Sequence, residues 1–144
     1  MNAEQEKLLQ KKKEQYKLKQ KEKAIQEAIS SVVQNVECFN EKYRFVEESE
    51  KVKILKFVSE LEFEAPGQLQ VKEKCLHKHN KMYLCCLMGD CAMYDIFVFG
   101  RYDDFINDYA AWEYISPYLL LIDDDFYHFI YINDYGEIIE QQKI

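Results

Sequence analysis

The chain has little of what usually marks a specialised protein. Four glycines and two prolines in 144 residues are too few for long disordered linkers. No run of about 18 apolar residues occurs, which excludes a membrane-spanning helix. The start, Met-Asn-Ala-Glu-Gln-Glu, leads into lysines without an apolar h-region, so no signal peptide is expected. The five cysteines (Cys38, Cys75, Cys85, Cys86 and Cys91) are an odd number and include no C-x-x-C pair. Reduced thiols and a cytoplasmic location are the natural reading. There is no glycine-rich phosphate loop, no D-x-[DN]-x-[DN]-G cation loop and no serine or cysteine nucleophile in a recognised setting. The composition therefore points away from an enzyme and calls for no cofactor.

Basic residues are also scarce where acids are dense. From Tyr94 to the C-terminus only Arg101 and Lys143 are basic, against eleven acids, a net of −9. Residues 1–24 carry eight lysines and four glutamates, a net of +4, so the overall −7 hides a split. An acidic face repels nucleic acid and steers cationic partners, and the C-terminal half lacks the alternation of basic and aromatic residues that a nucleic-acid site needs.

What is present is enough for one domain. The chain is 48% hydrophobic and 15% aromatic, so a real core is feasible. Fourteen of the 21 aromatic residues lie between Tyr94 and Glu140, which makes that segment both the best core-former and the most electronegative stretch.

In chain order, residues 3–24 are good helix formers with sparse apolar positions (Leu8, Leu9, Tyr16, Leu18). This charged helical extension, 1–24, precedes a single α+β domain, 25–144. Ile25, Ile29, Val32, Val36, Phe39, Tyr43 and Val46 then follow at spacings of four and three, which predicts a packed helix over 25–46. Glu47-Glu48-Ser49-Glu50 suits the N-terminus of a second helix. Val52, Leu55, Val58 and Leu61, with Ile54 and Phe57 beside them, mark its apolar side, and Pro66-Gly67 ends it.

The period then shifts towards two. Strands are expected near 68–77, 81–88 and 92–100, with a hairpin turn at Met88-Gly89-Asp90. Asp103 reads as the N-cap of a third helix that places Phe105, Tyr109 and Trp112 on one face. Ser116-Pro117 stops it. Two strands follow about the acidic turn Asp123-Asp124-Asp125. A second turn at Asp134-Tyr135-Gly136, with Gly136 suited to positive φ, leads into the last strand. The expected fold is α+β: a long N-terminal helix and a second helix packed on a mainly antiparallel sheet, with one further short helix and the helices on one face.

Three constellations could carry chemistry. Cys75, His77 and His79 alternate along an expected strand in a pattern soft enough for zinc, but without paired ligand spacings they read better as an exposed strand end. His128 could act as a general base with an aspartate of 123–125; a satisfied histidine in an aromatic strand is the simpler reading. The three aspartates could hold a cation, yet a solvated turn accounts for them. With Asp103, Asp104, Asp108 and Asp134 they form a broad acidic surface, and Trp112, Tyr127 and Tyr135 lie among them as contact residues of the kind interfaces favour. The lysine run of residues 11–23 reads as a solvated helix face rather than a phosphate-binding one.

The segment running from Trp112 through Tyr118-Leu-Leu-Leu-Ile-Asp-Asp-Asp-Phe to Phe129-Ile-Tyr-Ile-Asn-Asp-Tyr-Gly-Glu-Ile resembles small bacterial immunity proteins of contact-dependent inhibition and polymorphic toxin systems. The resemblance implies a cytoplasmic protein that binds a cognate toxin domain, often a basic nuclease, and blocks it. On the residues, the expected partner site is Asp103, Asp104, Asp108, Trp112, Asp123, Asp124, Asp125, Tyr127, Asp134 and Tyr135. Neither nucleic acid nor membrane is an expected partner. The competing expectation is a helical adaptor or scaffold that pairs through its long N-terminal helix.

Overall fold

A computed structural model describes residues 2–61, 81–133, 136 and 138–142, the last of these as backbone. The first element is α1, Ala3–Asn35, 33 residues long. It is capped by Asn2, whose side chain accepts the Gln5 N–H at 2.9 Å, satisfying a donor that the first turn cannot. From Asn2 to Lys23 every residue is exposed. Contact with the body begins at Ala24 and Ile25, and Ala28 and Val32 are buried.

The helix expected over 25–46 does not run through. It ends at Asn35, Val36 is extended, and Cys38 turns the chain with φ 55°. A single turn, α2 (Phe39–Lys42), and a two-residue strand, β1 (Arg44–Phe45), follow. Val32, Val36, Phe39 and Tyr43 are all buried in one core. The apolar spacing is thus satisfied by a folded-back path as well as by a straight helix. The folded path also gives Arg44 and Phe45 the strand partners Phe99 and Val98.

Helix α3, Glu48–Glu60, begins where the acids predicted, with the Glu47 N–H donating to Glu50 Oε1 at 3.0 Å. Its inward residues are Ile54 and Phe57, with Val58 and Leu61 partly covered, while Val52 is 63% exposed. The expected line of Val52, Leu55, Val58 and Leu61 is therefore rotated on the helix. Beyond it come β2 (Lys81–Cys86), α4 (Asp90–Met93), β3 (Phe97–Arg101), α5 (Tyr102–Asn107), α6 (Tyr109–Ile115), β4 (Leu119–Asp123), β5 (His128–Ile132) and β6 (Ile138–Gln142). The strands form one sheet in the order β1-β3-β2-β4-β5-β6, and every pairing is antiparallel.

Two details differ from the expected turns. Gly89, at φ 84°, opens α4 instead of a tight hairpin, and Asp95 at φ 52° then swings the chain into β3. Asp103 is not the N-cap: α5 starts at Tyr102, so Asp103 and Asp104 occupy its first turn, and the helix is interrupted at Asp108 before α6. Gly136 has the expected positive φ, 74°. The expected strand at 68–77, the Pro66-Gly67 turn and the Cys75, His77 and His79 trio lie outside the described residues, as do Asp134 and Tyr135.

The larger correction concerns layers. Met82, Leu84 and Cys86 of β2 pack with α1 and Trp112 of α6, whereas Tyr83 and Cys85 pack with Ile54 and Phe57 of α3. The helices cover both faces of the sheet. The reason is visible in the central strands, where Met82–Cys86 and Leu119–Asp123 are buried without alternation, the mark of strands covered on both sides. Cys85 and Cys86 accordingly face opposite cores, as adjacent strand residues must. No described helix is long and apolar enough to cross a membrane.

Candidate functional site

The acidic turn between β4 and β5 is the most elaborated polar feature among the described residues. Asp123 closes β4 opposite Met82 and is only 5% exposed; its Oδ1 accepts the Asp124 N–H at 2.8 Å. Phe126 adopts φ 54°, a conformation costly for a bulky residue. That backbone drives its ring inward, stacked on Tyr83 with centroids 5.4 Å apart and edge-on to Phe57 at 6.1 Å. Burial of that ring offsets the backbone cost.

Asp125 completes the turn. Its Oδ1 accepts the N–H groups of Tyr127 at 2.8 Å and His128 at 3.1 Å. His128 Nδ1 lies 2.8 Å from Asp125 Oδ2, which places the ring proton on Nδ1. Partial burial alone would raise the Asp125 carboxyl, but the His128 bond and the two backbone donors outweigh it and hold the group below its usual range. Asp124 moves the other way, raised by burial, by its bond to Asp123 and by the charges of Asp123 and Asp125. Tyr127, exposed, stands edge-on to the His128 ring at 4.8 Å. The result is a hydrogen-bonded hairpin tip that presents Asp124, Asp125 and Tyr127 to solvent.

Donor atoms of Asp123, Asp125 and His128 lie within 4.8 Å of one another. Two carboxylates and an imidazole are a donor set that suits a divalent cation, and these are the described residues that could hold one. The hydrogen bonds of Asp125 and His128 already occupy part of that set.

The remaining predicted residues are dispersed. Asp103 and Asp104 are half-buried on α5, which continues directly from β3, whose end pairs with the start of β2. Asp108 is tied into the body: its Oδ2 accepts from Lys42 Nζ and from the Tyr43 hydroxyl, each at 2.6 Å. The Tyr43 hydroxyl is pushed well above its usual pKa, by burial first and then by that bond. Trp112 is 1% exposed, edge-on to Tyr43 at 5.4 Å and tilted against Phe105 at 5.7 Å, so it organises the core and offers no surface anchor. The eight described residues of this set thus do not form one continuous face. Asp123, Asp124, Asp125 and Tyr127 come together, whereas Asp108 and Trp112 belong to the packing of the opposite layer.

Sequence reasoning missed Phe126 as the wedge that holds the tip. The Asp125/His128 spacing of three was the available signal for the clamp; nothing local announces a phenylalanine at positive φ. Comparison of the chain with protein-family models, curated proteins and solved structures gives no match, so the chemistry of the site alone bears on function.

Proposed function

We propose that this is an immunity protein, acting in the cytoplasm, that binds and neutralises a cognate toxin domain through the acidic β4–β5 tip. It is not an enzyme on this reading, and its partner is a basic protein surface such as a nuclease uses for its substrate. The observation that carries the proposal is the preorganised tip: Asp125 held by three donors, Asp124 and Tyr127 exposed beside it, and Phe126 locked between Phe57 and Tyr83. Ordering these groups before contact removes an entropic cost of binding. Crowding that raises the Asp124 carboxyl is relieved by a lysine or arginine from a partner, which favours cationic ligands and fast, salt-sensitive association.

The test is co-purification with, and protection of cells from, the toxin-domain product of the adjacent upstream gene. Asp124→Asn with Asp125→Asn is expected to weaken the complex by about 100-fold at low salt, roughly tenfold per charge-assisted contact. Absence of both complex and protection sinks the proposal for that partner.

A second reading has its own observation. Residues 3–23 of α1 are all exposed, Leu8, Tyr16 and Leu18 among them, which suits an adaptor that pairs through this helix. Sedimentation of the full chain decides it: a partner-bound or dimeric state lost on Leu8→Ser with Leu18→Ser favours the adaptor.

A further inference from the structure

The fold assembles a basic groove that the linear sequence conceals. From Met82 to Gln142 the chain has a single basic residue, Arg101. It stands at the end of β3 directly opposite Lys81, the first residue of β2. Arg44 of β1 pairs with Phe99, which lies two residues before Arg101 and shares its side of the sheet by strand alternation. Lys42 and Tyr43 complete the lining of this open groove, whose volume is about 290 Å³. Its lining includes one acid, Glu41, among the described residues.

The four cations are not equivalent. Lys42 is balanced by Asp108, and Arg44 by a bidentate bond to Glu50 at 2.7 and 2.8 Å. Arg44 also lies over the Phe99 ring, 4.5 Å from its centroid, so its rotamer is fixed. Lys81 and Arg101, both exposed, have no side-chain hydrogen-bond or ion-pair partner among the described residues. Like charges directly across an antiparallel pair are destabilising. Here the repulsion sits at the mouth of a groove with an aromatic wall and a prearranged guanidinium, in a protein of net charge −7. An oxyanion bridging the two side chains would remove that repulsion and accept charge-assisted hydrogen bonds from both.

We propose that Lys81 and Arg101, with Arg44 and Phe99 as the wall, form a binding site for a small ligand carrying one phosphate or carboxylate group. The groove shares no lining residue with the acidic tip, although Lys81 precedes Met82, the partner of Asp123, so the two sites are neighbours on the sheet. With two uncompensated cations and one lining acid it suits a ligand of one or two negative charges rather than a polyanion. The volume is enough for a small anionic molecule.

The test is titration of the full ¹⁵N-labelled chain at low salt with inorganic phosphate and, separately, with acetate, followed by amide shifts. Saturable shifts centred on Lys81, Phe99, Gly100 and Arg101 are expected. Lys81→Gln and Arg101→Gln should each weaken binding by about tenfold, as loss of a charge-assisted hydrogen bond does. Lys53→Gln, in the separate groove beside Phe57 and Phe126, should change nothing. Whichever anion binds more tightly assigns the ligand class, and both variants should keep the remaining amide spectrum because the two side chains are exposed. Three results overturn the proposal: shifts confined to the lysines of α1, affinities unchanged by either variant, or a dimer dissolved by Lys81→Gln, which would mean that an acidic segment of a second copy fills the groove.

Discussion

Each face of the sheet has a carboxylate that accepts from a tyrosine hydroxyl and a cation, but the two differ in how much apolar packing accompanies it. On the α1 face, Asp108 accepts from the Tyr43 hydroxyl and from Lys42, each at 2.6 Å. On the α3 face, Glu50 accepts from the Tyr83 hydroxyl at 2.7 Å and bidentately from Arg44. Lys42, Tyr43 and Arg44 are consecutive, so one short segment at the sheet edge sends Tyr43 into one layer and Arg44 over the other. The α1 face has a deep core around Trp112, with contributions from α1, α5 and α6. Among the described residues the α3 face has a single helix, which buries Ile54 and Phe57. The first layer is held by apolar packing with a polar rim. The second depends more on its carboxylate clamp and on the Phe126 wedge.

Truncating the centre of each layer is the strongest way to break that comparison. Trp112→Ala should cost about 3–5 kcal/mol, because the indole is surrounded by Phe39, Tyr43 and Phe105 and the void cannot fill. Phe57→Ala should fall at or below the lower end of that range, about 3 kcal/mol, because Phe57 borders an open groove that water or Lys53 and Lys56 can reach. Urea unfolding monitored by circular dichroism measures both. A larger loss for Phe57→Ala than for Trp112→Ala would reverse the assignment of the thick and thin layers.

The clamp makes the α3 face sensitive to acid. The Arg44 guanidinium holds the Glu50 carboxyl down at about 2, assisted by the Glu47 N–H and the Tyr83 hydroxyl, against the opposing effect of burial. Burial, and the bond to Glu50, push Tyr83 up to about 12. For a carboxyl depressed on folding, the stabilisation is present above its unfolded pKa and is lost as pH falls through the folded value. Discounted because Arg44 is 48% exposed, the contribution is about 2 kcal/mol. Glu50→Gln should therefore be less stable than the parent by that amount above pH 5, and the gap should close between pH 4.5 and pH 2. A gap that stays constant across this window would mean that the clamp is not ionic.

What could be read in advance follows the distance over which each feature is decided. The buried runs of β2 and β4, the start of α3 at Glu48 and the turn at Asp123 to Asp125 depend on neighbours in sequence, and they were legible. The break at Cys38 and the tethering of Asp108 were not. Asp108 is satisfied by Lys42 and Tyr43, 66 and 65 residues away, and Tyr43 is accommodated because Gly100 has no side chain to occupy the space of its ring. An aspartate with such partners looks in sequence like any surface acid. The spacing puts Trp112 on one face with Phe105 and Tyr109, and all three join one core, but the sign of that face, core or interface, depends on a layer the helix spacing does not encode.

The rotation of α3 supports the smallest and most discriminating prediction. Val52, Leu55, Val58 and Leu61 keep helical spacing as well as Ile54, Phe57, Val58 and Leu61 do, and hydrophobicity alone does not choose between them. The choice is made at the helix N-terminus, where Glu50 must point at Arg44 and Tyr83 to complete the clamp. Ile54 is four residues beyond Glu50 and follows it onto the inner face, and Val52 is carried outward. Val52→Ser exchanges residues of similar helix propensity at an exposed site and should shift stability by less than about 0.5 kcal/mol. In the Glu50→Gln background the same substitution should remain additive, since the clamp orients the helix but does not touch Val52. A loss above about 1 kcal/mol in either background would show that Val52 is covered in solution and that the outward face of α3 carries a contact.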